Sequence, residues 1–160
     1  MSYKFRQARN YEVNIFYSII VDRVKWMKEN NIKQWNEEYL DIYPLKYYEE
    51  NIDKLYVLID NDDILCGAII LKEDSRWKDN EDSAYYIHNF ASSINNKGSG
   101  ILFIKELENL AIINKIKYLR LDSIFGSNKL EEYYSNLGFK ECGECFEGNY
   151  HGILREKKVG

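Results

Sequence analysis

Asn95-Asn96-Lys97-Gly98-Ser99-Gly100-Ile101-Leu102-Phe103 is the stretch on which the fold turns. Two glycines flank one serine where an extended segment gives way to Ile101-Leu102-Phe103-Ile104-Lys105-Glu106-Leu107, which reads as the opening of a helix. A helix that starts there leaves its first-turn N–H groups without intrahelical partners, beside a backbone nearly stripped of side chains. Such groups attract phosphate. A pyrophosphate is a ligand this corner suits.

Working outward, the helix from Gly100 to about Asn114 leads to a strand, Lys117-Tyr118-Leu119-Arg120-Leu121, then to a helix over Asn128–Asn136 and a closing antiparallel pair. Two strands joined through a helix of that length are expected as parallel neighbours with a right-handed crossover, which puts the Gly98 corner at the carboxyl end of its strand. Upstream, Tyr3 to Arg9 alternates as a strand, and Val13, Phe16, Tyr17, Ile20, Val24 and Met27 recur at helical spacing. A shorter helix follows Pro44, over Leu45 to Asp53. Leu55–Ile59 and Ile64–Leu71 form a hairpin about Asp60-Asn61-Asp62-Asp63, and an acidic loop leads into the strand Ala84–Ala91. The expectation is an α/β protein with a mixed, mostly antiparallel sheet flanked by helices.

At 160 residues, 45% of them hydrophobic, the chain suits one well-buried domain spanning 1–160. A net charge of -4 argues against a nucleic-acid binder, which would carry surplus Lys and Arg. The longest apolar run, Ile64–Leu71, is far short of the roughly 20 residues that cross a bilayer. The start, Met1-Ser2-Tyr3-Lys4-Phe5-Arg6, lacks the apolar core of a secretory signal, so no membrane and a cytoplasmic location are expected. Three cysteines fit a reducing compartment better than a disulfide framework. Cys142 and Cys145 form a C-x-x-C, but a strand sends residues three apart to opposite faces unless Gly143 makes a bulge. With no second Cys or His pair to complete a tetrahedral set, no metal is expected.

Taken together, strand, glycine turn, helix, strand and Tyr134-Ser135-Asn136-Leu137-Gly138-Phe139 resemble the GNAT superfamily of acyl-CoA N-acyltransferases, in element order over nearly the whole chain. In that family the phosphate loop is usually Gln or Arg, two variable residues, Gly, a variable residue, then Gly or Ala. Asn95-Asn96-Lys97-Gly98-Ser99-Gly100 keeps both glycines and departs at Asn95, and the approach through Ala91-Ser92-Ser93-Ile94 is about two residues shorter than usual. The family's Asn six residues before a Tyr, itself four before Gly-Phe, is matched by Asn128, Tyr134, Gly138 and Phe139. Trp26 and Ile32-Lys33-Gln34-Trp35 are similar, more loosely, to a segment that lies near the acceptor pocket in small bacterial members.

The resemblance implies N-acetyl transfer from acetyl-CoA, as co-substrate, to a primary amine of a small molecule by direct attack in a ternary complex. It also implies a strand pair that splays at Ala84–Ala91, where pantetheine amides pair with the free edge at Phe90 and Ala91. A backbone N–H near Asn89 to Ala91 then faces the thioester oxygen. The cofactor set becomes Asn89, Phe90, Ala91, Asn95, Asn96, Lys97, Gly98, Ser99, Gly100, Ile101, Asn128 and Tyr134. Lys97 either neutralises a phosphate or is one more solvated lysine. Tyr134, whose family counterpart sits beside the sulfur, is the candidate acid. A phenol at about 10 is a weaker acid than a thiol at about 8.5, so full transfer runs uphill by roughly 2 kcal/mol and hydrogen bonding to the thiolate is an alternative role.

An aliphatic amine near 10 must lose a proton before attack. His88 is the candidate base, with Asn89 or a water chain as alternatives. It is similar to the second histidine of a His-x-His in arylalkylamine N-acetyltransferases, with Tyr86 at the first, on the same face of the strand. Trp26, Gln34, Trp35 and Tyr86 make the acceptor set, though both tryptophans could equally fill core. Glu81 and Asp82 either receive a cationic acceptor or form a solvated turn. Two further readings stand beside this one: a catalytically lapsed acyl-CoA sensor or scaffold, and a protein N-terminal acetyltransferase. Pairs are common in the family, so a homodimer is among the expectations.

Overall fold

The computed structural model describes residues 3–78 and 82–160. Glu81, weighed above as an acceptor contact, lies outside the described residues. The chain divides into two compact units, 1–70 with 88–106, and 71–87 with 107–160. The strand β4 (Ala84–Ser92) and the helix α4 (Ser99–Ile113) contribute residues to both.

In the first unit, β1 (Tyr3–Gln7) pairs antiparallel with β2 (Leu55–Asp60), and β2 with β3 (Asp63–Leu71). Asn61 at the hairpin tip holds φ 58°, a left-handed conformation that asparagine tolerates better than most residues. Helix α1 (Val13–Glu29) buries Val13, Phe16, Ile19, Ile20, Val24 and Met27, the stripe that the spacing predicts with Ile19 added and Tyr17 only half-buried. It is seated tightly: a Cβ on Gly67 of β3 would come within 2.6 Å of the Phe16 ring, so only glycine leaves that ring its place. Asn31, with φ 57°, ends the helical run, and Ile32 N–H closes back to the Met27 carbonyl at 2.9 Å.

A helix that the periodicity did not reveal, α2 (Glu37–Ile42), precedes α3 (Leu45–Glu50). It is six residues long and buries none of them, so it has no apolar stripe to find. Its local signal is the cap: Asn36 Oδ1 accepts from Tyr39 N–H at 3.1 Å, ahead of Glu37 and Glu38 in the first turn. The helix expected from Leu45 to Asp53 stops at Glu50 and continues as a single 3₁₀ turn, Ile52–Lys54.

In the second unit, β4 runs parallel to β5 (Tyr118–Ile124) through Ala84↔Tyr118, Tyr85↔Leu119 and Tyr86↔Arg120. Helix α5 (Asn128–Asn136) has the predicted bounds, with Ser127 Oγ accepting from Leu130 N–H at 3.3 Å as its cap. The closing pair is β6 (Lys140–Glu147) against β7 (Tyr150–Lys158), and β7 also pairs with β5, both antiparallel. The hydrogen-bonded order is β1-β2-β3-β4-β5-β7-β6, a mixed sheet with the one parallel pair where the crossover rule puts it.

Strand β6 is bulged at Gly143, the exception to the plain alternation expected for Cys142 and Cys145. The β6–β7 register slips between Glu141 and Gly143, leaving Cys142 as the extra residue, and Gly143 takes φ 147°.

Candidate active site

In the first unit the corner takes shape at Gly98. Its φ is 85°, and an added Cβ would meet no heavy atom within 4 Å, so the glycine is set by backbone conformation and borders open space. Helix α4 begins one residue later, at Ser99, so the first-turn N–H groups open beside Gly98. Ser99 is buried and its hydroxyl ties the loop down, 3.0 Å from the Asn96 carbonyl and 3.1 Å from the Leu65 carbonyl on β3. Asn96 N–H reaches the Ser93 carbonyl at 3.1 Å, and Ser93 N–H the Leu65 carbonyl at 2.8 Å. The loop is thus held by its own backbone and one serine. Asn95, Lys97 and Ile101 are exposed at this corner, and Gly100 is buried in the first helical turn.

Upstream on β4, Asn89 holds φ 54°, which breaks the regular strand path inside the stretch assigned to the thioester. Asn89 is only 7% exposed, with its Nδ2 donating to the Tyr39 hydroxyl and its Oδ1 buried without a hydrogen-bond partner. His88 beside it is half-buried. Ala91 is buried, and the half-buried Phe90 ring packs 5.4 Å from Phe103 of α4. Arg23 of α1 grips the end of the strand, donating to the Ser92 carbonyl at 2.6 Å and to its hydroxyl at 2.9 Å, while its guanidinium lies over the Trp26 ring at 4.8 Å.

Gln34 is half-buried, and Trp35 is buried with its ring stacked on Tyr39 at 4.6 Å. Tyr39 is a residue that sequence reasoning missed. It joins Trp35 to Asn89, and the signal that could have found it is the four-residue spacing of Trp35, Tyr39, Tyr43 and Tyr47.

In the second unit, Asn128 is exposed at the start of α5, and Tyr134 is half-buried farther along it. The Tyr134 ring meets Phe139 edge-on at 6.1 Å and Tyr133 at 5.1 Å, and the Arg155 guanidinium lies 5.8 Å from its centroid. Arg155 on β7 is 2% exposed, with Nε donating to Ser123 Oγ and Nη2 to Glu131 Oε2, each at 2.8 Å. The hydrogen bond from Arg155, with a second to Glu141, holds the Glu131 carboxyl below the usual carboxylate range. Glu131 and Tyr134 are one helical turn apart, so one buried cation fixes the face of α5 that carries the phenol.

Tyr86, assigned to the acceptor, accepts at its hydroxyl from Arg120 Nη1 at 3.0 Å and packs against Trp77. Arg120 is buried among the rings of Trp77, Tyr86 and Tyr118 and pairs with Glu156 at 3.2 Å. Unrecognised in the sequence were Arg120, Arg155 and Asp122, the last of which accepts from Tyr150 at 2.6 Å and pairs with Arg76 at 3.2 Å. Arginines inside strand patterns look the same whether they face solvent or core.

All three cysteines are free. Burial pushes the Cys142 and Cys145 thiols up to about 11, and Cys66 higher still, so at neutral pH they are protonated and poorly suited to nucleophilic or redox work. Among the described residues no group of three His, Cys, Asp or Glu side chains could hold a metal ion, and no helix is long and apolar enough to cross a membrane.

No family model matches the sequence, and no curated protein is matched by it. Solved structures are similar in fold. A GNAT-family acetyltransferase from Listeria monocytogenes 4b F2365 aligns over 98% of this chain and 95% of its own, with TM-score 0.78 and 24% identity. One from Streptococcus agalactiae 2603 aligns over 99% and 96%, with TM-score 0.80 and 16% identity. The PaiA N-acetyltransferase of Thermoplasma acidophilum, solved in complex with coenzyme A, aligns over 99% of both chains, with TM-score 0.73 and 13% identity. At such identities the likeness speaks for architecture alone. This chain shares its fold with these GNAT-family acetyltransferase structures.

Proposed function

We propose that this protein transfers an acetyl group from acetyl-CoA to a primary amine of a small molecule, by direct attack in a ternary complex. The observation that carries the reading is the corner at Gly98, where a left-handed glycine facing open space precedes the bare first turn of α4. The N–H groups of Gly98 to Ile101 take the diphosphate, with Lys97 as counter-charge and Asn95, Asn96 and Asn128 flanking it. Pantetheine amides pair along Phe90 and Ala91, and a backbone N–H at Asn89 to Ala91 stabilises the oxyanion.

The acceptor arrives as an ammonium and gives up one proton to solvent through His88 or a water chain. Its nitrogen lone pair then attacks the thioester carbon. The N–C bond forms, the C–S bond breaks, and the electron pair leaves on sulfur. Tyr134 donates its phenolic proton, or a hydrogen bond, to that thiolate, and the nitrogen sheds its second proton, giving the N-acetyl amine and free coenzyme A. Trp26, Gln34, Trp35 and Tyr86 contact the acceptor. We infer a cytoplasmic setting, since three free thiols belong in a reducing compartment.

The test is Gly98→Asn. Asparagine is the side chain best tolerated at this φ, and in the free protein it meets nothing, so the variant folds. Calorimetry with coenzyme A should show affinity weakened by about tenfold or more, the loss of one or two charge-assisted hydrogen bonds. Unchanged affinity removes the phosphate site from this corner. Coenzyme A binding without thiol release, across a panel of amines, would turn the reading to a sensor.

A further inference from the structure

The first unit carries a continuous run of aromatic rings. Trp35, Tyr39, Tyr43 and Tyr47 follow at four-residue spacing across α2 and α3, with neighbouring centroids 4.6, 5.0 and 4.9 Å apart. Tyr48 continues it at 5.3 Å from Tyr47. Burial pushes the Tyr47 phenol up to about 12, and burial with the neighbouring Tyr48 pushes Tyr39 well above its ordinary range, so these two phenols stay neutral. At one rung, Tyr39 fixes the amide of Asn89, and that amide's Oδ1 is a buried acceptor without a donor.

Native proteins seldom leave a buried acceptor unmet, because each costs on the order of 1–3 kcal/mol. The Asn89 oxygen calls for a ligand with an N–H donor. The ring faces call for a cation, since an ammonium over a phenol or indole face is attracted by the ring quadrupole. Charge agrees: α2 and α3 carry Glu37, Glu38, Asp41, Glu49 and Glu50 against Lys46 alone. Lys46 pairs with Glu50 at 3.7 Å, and Arg23 is engaged by Ser92 and Trp26.

We propose that the acceptor is an aliphatic diamine or polyamine, its reacting amine hydrogen-bonded to Asn89 Oδ1 and its second ammonium lying against the Trp35-Tyr39-Tyr43-Tyr47 rings. This rests on the acetyl-transfer reading and names the substrate class of that site. Tyr39 is then a positioning residue, acting through Asn89.

The experiment compares 1,4-diaminobutane, butylamine and 4-aminobutyrate, which share a four-carbon spacing and differ at the far end. Thiol release from acetyl-CoA should show kcat/KM about tenfold or more higher for the diamine than for butylamine, the scale of one desolvated cation–ring contact, and lowest for the carboxylate. Tyr39→Phe keeps the ring and frees the Asn89 amide. It should raise KM for the diamine about tenfold, as one hydrogen bond would, with coenzyme A affinity unchanged. Tyr43→Leu should lower the preference for diamine over butylamine several-fold.

Calorimetry separates the failures. No heat with coenzyme A sinks the acetyl-transfer reading itself. Coenzyme A binding with no diamine binding to that complex, or with butylamine or 4-aminobutyrate used as well as the diamine, overturns the substrate class alone.

Discussion

Asn89 in the first unit and Arg155 in the second are both polar side chains sealed from solvent, yet their surroundings differ. Arg155 is 2% exposed and has Ser123 and Glu131 at 2.8 Å, with the Tyr134 ring beneath it. Asn89 is 7% exposed, sits at φ 54°, and keeps one amide atom paired with Tyr39 and the other with nothing. A saturated buried cation rigidifies what it touches. A half-satisfied amide on a left-handed backbone stores unfavourable free energy, and such positions gather where a ligand completes the set. The comparison assigns holding to one residue and binding to the other.

The largest effect that could break this division is at the group Arg155 holds. Tyr134→Phe keeps the ring, its contacts with Phe139 and Arg155, and deletes one oxygen. Turnover should fall by roughly 10² to 10⁴ while acetyl-CoA affinity stays put. Wild-type turnover would reduce Tyr134 to packing and leave Arg155 nothing chemical to support.

Next in size is Arg155→Met, a similar volume without charge. It removes the hydrogen bonds to Ser123 and to a half-exposed Glu131 and should cost about 1–3 kcal/mol in urea unfolding. Its pH dependence is specific. Arg155 depresses the folded-state Glu131 carboxyl, so the stability from that pair is complete above the unfolded value and disappears as pH falls through the lower folded value. The difference between wild type and variant should therefore shrink below about pH 4, where an unfolded Glu protonates. A difference constant with pH would show that Arg155 acts by packing.

What the sequence made legible follows the same line. The glycine corner, the Asn128–Tyr134–Gly138 spacing and the strand and helix order are local signals, written in residues near one another, and the structure has them. Arg155, Arg120 and Tyr39 were hidden because their roles come from pairings 24 to 50 residues apart in the chain, Glu131 with Arg155, Tyr86 with Arg120 and Tyr39 with Asn89. Helix α2 was hidden for another reason: it buries no residue, and periodicity detects only what a core requires. Asn89 was visible as a residue of β4, but its positive φ and its unmet oxygen were not, since neither alters the alternation of the strand.

The smallest expected effect is on stability at Asn89, and its smallness is the argument. Glycine accepts φ 54° without a Cβ penalty and removes the unmet Oδ1, while leaving the Tyr39 hydroxyl without its donor. The relief of strain and of a buried orphan offsets the lost hydrogen bond and the greater chain entropy of glycine. Asn89→Gly should therefore unfold within about 1 kcal/mol of wild type, in either direction. Activity should move the other way, with kcat/KM for the amine falling about tenfold or more and coenzyme A affinity unchanged, because only the acceptor's hydrogen bond is gone. A variant that loses several kcal/mol of stability would make Asn89 a second Arg155, a polar group kept for the fold. One that keeps both stability and amine specificity would leave its unmet oxygen without a ligand to explain it.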